Sequence, residues 1–224
     1  MLHIFEELLK HVSMVNGARS APLRMLYNYL FLNKLQFIRR IIMNKYFKKL
    51  EYKEISRKQA YKGKRIQVDE IEYLNGEKKV HREHVKAGEA VVVLPITEDN
   101  KVIMVQEPRT PIEQVILALP AGMIEPGEQP EDAAIRELEE ETGYLASNVE
   151  FMREYYPSVG YSNEKLKLYL ATGFKKTQQH LDPEEDINVV EIPMEELIEM
   201  LDKNEIITAS ATIAIMHYLR YIQK

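Results

Sequence analysis

Three glutamates, Glu137, Glu140 and Glu141, stand three and four residues apart in the run R-E-L-E-E-E. On an α-helix such offsets bring side chains to one face, about one turn apart. Neighbouring carboxylates repel one another unless a cation neutralises them. A hard divalent ion with oxygen ligands suits this donor set, which points to Mg²⁺, with Mn²⁺ as a substitute. Taken alone, the run also reads as a solvated acidic helix face. The upstream residues argue for chemistry. Gly122, Glu128, Arg136 and Gly143 join the glutamates in the pattern G-x5-E-x7-R-E-U-x-E-E-x-G-U, where U is a bulky apolar residue. Seven fixed residue types at set spacing arise by chance in only about 10⁻⁸ of windows.

The elements that must position these groups are legible around them. Ala134, Ile135 and Leu138 supply a packed side for the same helix. Pro130 lies near its start and Gly143 near its end, as helix punctuation should. The segment Gly122 to Gly127 is a loop that lets backbone approach a ligand. Arg136, beside the carboxylates, reads as a structural partner of Glu128 that holds loop against helix. Met123 follows the first glycine directly and is a candidate for the pocket lining, with simple packing as the other reading.

This stretch resembles the signature of the Nudix hydrolases, which cleave a diphosphate linked to another moiety. The resemblance implies a metal held by Glu137, Glu140, Glu141 and the main-chain oxygen of Ala121. It also implies structural roles within the motif for Gly122, Glu128, Arg136 and Gly143. Over roughly residues 51–222 the chain is similar to the ADP-ribose pyrophosphatase branch of that family. The carriers are R-E-H at Arg82–His84, A-V-V-V-L-P at Ala90–Pro95 and V-Q-E-P-R at Val105–Arg109. They continue with L-P-A-G-M-I-E-P-G-E at Leu119–Glu128, Y-P-S-V-G-Y-S-N-E at Tyr156–Glu164, D-P-E-E-D-I-N-V-V at Asp182–Val190 and T-I-A at Thr212–Ala214. Two positions depart from the branch. Val159 stands where it usually has proline after the loop serine, and Ala118 where it often has glutamate.

The branch resemblance implies metal-assisted attack of water on one phosphorus of ADP-ribose, giving AMP and ribose 5-phosphate. It implies Glu164 as the general base, with Glu140 as the fallback. Arg109 and Arg82 are the substrate-binding candidates, because arginine forks recognise phosphate bidentately. Arg82 would act across a homodimer formed by the strands of residues 51–85. Another nucleoside diphosphate sugar or a dinucleotide is the alternative substrate, on account of Val159 and Ala118. A non-catalytic nucleotide-binding module is disfavoured, since every box carboxylate is intact.

Composition frames these expectations. The chain has 224 residues and no cysteine, so thiol chemistry and disulfides are excluded. Residues 1–50 hold nine Lys/Arg and two Glu, and residues 51–224 hold 21 Lys/Arg and 33 Asp/Glu. The acidic body argues against general nucleic-acid binding. No secretory signal or transmembrane run is read from the sequence, and a cytoplasmic location is expected.

The basic head reads as helices. Leu23, Leu26, Tyr27, Leu30, Leu35, Ile38, Ile41 and Ile42 recur near helical period, with Arg39, Arg40, Lys45, Lys48 and Lys49 between and after them. Packing on the domain or across a dimer is the preferred reading of residues 1–50, and an anionic membrane surface is the other. From residue 51 the pattern turns to strands. These fall at Tyr52–Tyr61, Arg65–Leu74, Val80–Val85, Ala90–Ile96, Val102–Glu107, Val149–Tyr155, Leu166–Thr172 and Ile187–Ile192, with a hairpin at Asn75-Gly76. Helices are expected at Pro193–Leu201 and Thr208–Ile222. The predicted fold is α+β: a Nudix-type α/β/α sandwich with a mixed sheet over 51–224, plus an N-terminal helical extension over 1–50.

Overall fold

A computed structural model describes residues 50–64 and 66–223. The helices expected within residues 1–49 lie outside the described residues. The unbroken apolar run at 90–95 becomes the strand β4, Glu89–Pro95, an inner strand of its sheet. Such a run fits a strand covered on both faces. Val91 and Val93 point to one face, where they pack with Ala133, Ala134, Leu138, Tyr169 and Ala171. Val92 and Leu94 point to the other, among Met104, Leu168, Met194, Leu197, Ala214 and Ile215. A period of two thus serves two cores at once.

The central sheet has the order β7-β4-β9-β8, with β7 at Ala121–Met123, β8 at Tyr144–Tyr155 and β9 at Lys165–Lys176. β4 runs parallel to β9 and antiparallel to β7, so the sheet is mixed. Helix α1, Pro130–Thr142, covers one face. Helices α2, Met194–Asp202, and α3, Ala209–Tyr221, contribute to the other core. The result is the expected α/β/α sandwich. A second sheet, β10-β5-β6, joins Asn188–Pro193, Lys101–Arg109 and Gln114–Ala118 in antiparallel register. A third joins β1, Lys53–Lys62, β2, Gln67–Asn75, and β3, Lys78–Lys86. Gly76 has φ 62° in the β2–β3 turn, as the Asn-Gly pair predicts.

β6 and β7 are absent from the sequence reading. They are short, and Pro120 lies between them. Among the described residues no helix is long and apolar enough to cross a membrane.

Candidate active site

α1 begins with Pro130 at its first position, where proline's missing N–H costs no hydrogen bond. Glu131 and Asp132 complement the positive end of the helix. It ends at Gly143, whose φ of 69° is a left-handed conformation that glycine adopts without a Cβ penalty. The segment after β9 satisfies the last carbonyls: Thr177 N–H donates to Gly143, His180 N–H to Glu140, and Gln179 Nε2 to Glu141. The helix that carries the glutamates is therefore pinned at its C-terminal end by residues more than thirty positions later.

The three glutamates do not share one environment. On a helix, residues 140 and 141 lie on opposite sides of residue 137, about 100° apart. Glu141 falls on the buried face, 7% exposed. Its Oε2 accepts a hydrogen bond of 3.1 Å from the Ala121 N–H. Glu137 is largely covered and lies against Gly122. A Cβ at Gly122 would stand 2.0 Å from the Glu137 carboxyl carbon, so only glycine leaves that carboxylate its place. Glu140 turns outward, with 43% of its side chain exposed.

Arg136 uses all five guanidinium donors. Nε and Nη2 clamp Glu128 at 2.8 and 3.0 Å, and Nη2 also reaches the Met123 carbonyl at 3.0 Å. Nη1 bridges Glu137 at 2.8 Å and Glu140 at 2.9 Å. Loop and helix are thereby locked together, with one cation set between two box glutamates. The arginine hydrogen bonds, with the Glu125 N–H, hold the Glu128 carboxyl down to about 2.

Two carboxylates not singled out by sequence join this group. Glu107 near the end of β5 is half-buried and ion-paired with Arg109. Glu185 lies in the acidic segment 182–186 and accepts from the Asp182 N–H. Burial pushes the Glu141 carboxyl up to about 8, and the charges of Glu107, Glu137 and Glu185 add to the rise. Burial likewise raises Glu137 and Glu107. The only hint of this gathering in the sequence was that V-Q-E-P-R and D-P-E-E-D each carry acid.

The chemistry of this donor set fits a hard divalent cation. Burial raises Glu107, Glu137 and Glu141, and while Arg109 and Arg136 pair with the first two, the Glu141 carboxylate is met, among the described residues, by the Ala121 N–H alone. The side chains do not close on one point, however. Among the described residues, no three acidic or histidine groups are arranged as ligands of a single ion.

The other sequence candidates lie as follows. Arg109, at the end of β5, is half exposed beside Glu107. Met123 is 52% exposed, and its methyl group packs over Gly88. Arg82 is exposed on β3 and donates to the His81 carbonyl at 2.8 Å. Glu164 stands just before β9; burial raises the Tyr155 hydroxyl, and the Glu164 charge adds to the rise. Among the described residues no ion pair or hydrogen bond joins Glu164 or Arg82 to the box glutamates. Val159 is exposed in its loop and Ala118 is buried in β6. A depression of about 500 Å³ lies on the outer side of α1, lined by Asp132, Ile135, Arg136, Glu139, Glu140 and His180. Ile135 thus belongs partly to this surface, and Ala133 takes the buried position beside Ala134.

The geometry can be set beside known proteins. The NUDIX domain matches residues 86–212. The ADP-ribose pyrophosphatase of Bacillus subtilis (strain 168) is 38% identical over 174 residues, covering 76% of this chain and 94% of that protein. The methanol dehydrogenase activator of Bacillus methanolicus is 36% identical, with the same coverage. A crystal structure of an ADP compounds hydrolase matches with a TM-score of 0.71 at 22% identity, over 79% of this chain and 97% of that one, which shows the fold. With the domain matched over more than half its length and a relative of this identity covered so fully, the chain belongs to the Nudix family, as one of its pyrophosphohydrolases.

Proposed function

We propose that the chain hydrolyses the diphosphate of ADP-ribose, with Mg²⁺, to AMP and ribose 5-phosphate. The observation that carries this reading is the placement of the Glu137 and Glu141 carboxylates against the Ala121–Gly122 backbone. The choice of substrate rests on the likeness to the Bacillus subtilis enzyme.

In this reading Glu137, Glu140, Glu141 and the Ala121 carbonyl hold the metal. When bound, the ion neutralises the diphosphate and lowers the pKa of a water. Gly122 leaves room for Glu137, and Arg136 keeps the loop on the helix while balancing Glu137 and Glu140. Arg109 binds a phosphate through its fork, as Arg82 does from the second subunit of a homodimer. Glu164 takes the proton of the attacking water, with Glu140 as the other carboxylate for that task. Met123 lines the entry to the pocket.

A second reading keeps the reaction and changes the substrate to another nucleoside diphosphate sugar or a dinucleotide. Val159 and Ala118, the two departures from the branch, favour it. The two Bacillus relatives also carry different names, so turnover decides where likeness does not. The test is a screen with Mg²⁺ of ADP-ribose, other nucleoside diphosphate sugars and dinucleotides, read as phosphate released after phosphatase coupling. ADP-ribose as the best substrate by kcat/KM supports the first reading. A tenfold preference for another diphosphate replaces it with the second.

A further inference from the structure

The loop that carries Glu164 is tied to the same short junction as the box entry. That junction is residues 85–89, where β3 passes through Ala87 and Gly88 into β4. On one side, the Val85 N–H donates to the Tyr161 carbonyl at 2.7 Å, and Val85 and Ser162 form an isolated parallel bridge. The Ala87 N–H donates to Asn163 Oδ1 at 2.9 Å. On the other side, the Ile124 N–H donates to the Glu89 carbonyl at 3.1 Å, and the Met123 methyl sits over Gly88 so closely that a Cβ there would stand 2.4 Å away. Box entry and Glu164 loop therefore share one piece of backbone. Asn163 makes its side-chain bond one residue before Glu164, and Lys165, one residue after it, adds Nζ to Glu89 Oε1 at 3.1 Å. The Ser162 hydroxyl accepts from the Glu164 N–H at 3.1 Å and completes the turn into β9.

We propose that Asn163 is a positioning residue, whose amide oxygen on the Ala87 N–H sets the Glu164 loop in register with the box. This rests on the reading of Glu164 as the base. Proton abstraction needs the base within hydrogen-bond reach of its water, and a displacement of about 1 Å can cost up to 10²-fold in rate. Asn163 acts through the backbone it fixes and need not touch substrate.

Three variants and their combination test this. With ADP-ribose and Mg²⁺, Asn163→Ala should lower kcat about tenfold with KM within about twofold, as expected of lost positioning rather than lost binding. Asn163→Asp keeps an oxygen acceptor for the Ala87 N–H and should restore kcat to within about threefold. Glu164→Gln should lower kcat by about 10²–10⁴. The double variant Asn163→Ala/Glu164→Gln should be no worse than about twofold below Glu164→Gln alone, because the two act as a unit. Hydrogen–deuterium exchange of residues 158–165 in metal-free protein gives a readout independent of turnover. It should rise in Asn163→Ala and stay near wild type in Asn163→Asp, with the melting temperature of each variant unchanged. Additive losses in the double variant, or unaltered exchange in Asn163→Ala, would overturn the proposal. A mild Glu164→Gln beside a damaging Asn163→Ala would overturn it too, and with it the reading of Glu164. A severe Glu164→Gln beside a silent Asn163→Ala would remove the positioning role alone.

Discussion

Glu141 and Asp69 are both nearly sealed from water, and the contrast between them defines what each is for. Asp69, 1% exposed, receives Lys86 at 2.9 Å, Gln67 at 2.7 Å and Arg57 at 2.8 Å. Those bonds hold its carboxyl well below the ordinary value of 3.8. A depressed pKa contributes stability above the unfolded value that is lost as pH falls through the folded one. Thermal melts should therefore drop below about pH 4, and Asp69→Asn should melt lower at pH 7 with a flatter acid limb. Glu141 has one backbone N–H and several carboxylates for company, so its charge is opposed, not satisfied. We expect a cation to occupy the place beside an anion that its own site destabilises. Glu141→Gln keeps the size and removes the charge. Its kcat should fall by about 10²–10⁵ in steady-state assays while the protein stays folded by circular dichroism. Near-normal turnover of that variant at saturating Mg²⁺ would remove Glu141 from the metal's ligands.

At the scale of elements, α1 is held by the sheet beneath it more than by its own sequence. Leu138 is fully buried among Val91, Val93, Tyr169 and Ala171. Leu138→Ala should cost about 2–5 kcal/mol in denaturant unfolding, with loss of activity following the loss of fold. Much of this element was legible in the residues. Pro130, Gly143 and the glutamate offsets give its ends and its chemical face, and the Arg136–Glu128 pair is visible as charge at fixed spacing. The environments of the glutamates were not legible. A carboxylate's exposure depends on which strand passes beneath it, and β7 is too short to show a period. Nor did any local signal bring Glu107 and Glu185 to Glu141, since they come from a strand end and a loop nearly eighty residues apart. The strands β1 to β5 and β8 to β10 were readable because they alternate or run apolar between turn residues. Their pairing, above all β4 beside β9, is a long-range fact that no window contains.

At the scale of the whole molecule, the sheet β1-β2-β3 offers an exposed edge strand among the described residues. β1 is exposed along its full length, and Ile55 and Tyr61 are 40% and 56% accessible. A three-stranded antiparallel sheet gains independent stability from a covered apolar face. We expect two copies to cover this one about a two-fold axis, with a dimer mass by light scattering at micromolar concentration. A fully active monomer would take away the role proposed for Arg82 across subunits. We also expect residues 1–50 to be a packing element. Deleting residues 1–47 should lower solubility or melting temperature, whereas salt-sensitive sedimentation of the intact protein with anionic vesicles would assign them to a membrane surface.

The parallel pairing of β4 with β9 also sets a timetable. Glu89 and Lys165 are partners across 76 positions of sequence. Synthesis adds about 5–20 residues per second, so β4 leaves the ribosome about 4–15 seconds before β9. During that interval β7 and α1 are already made, and one edge of an almost wholly apolar strand has no partner. Such an edge is a template for joining other chains. Protection by chaperones during translation therefore matters more for this protein than for one whose central strands are neighbours in sequence. Slowing elongation after α1 should increase its aggregation.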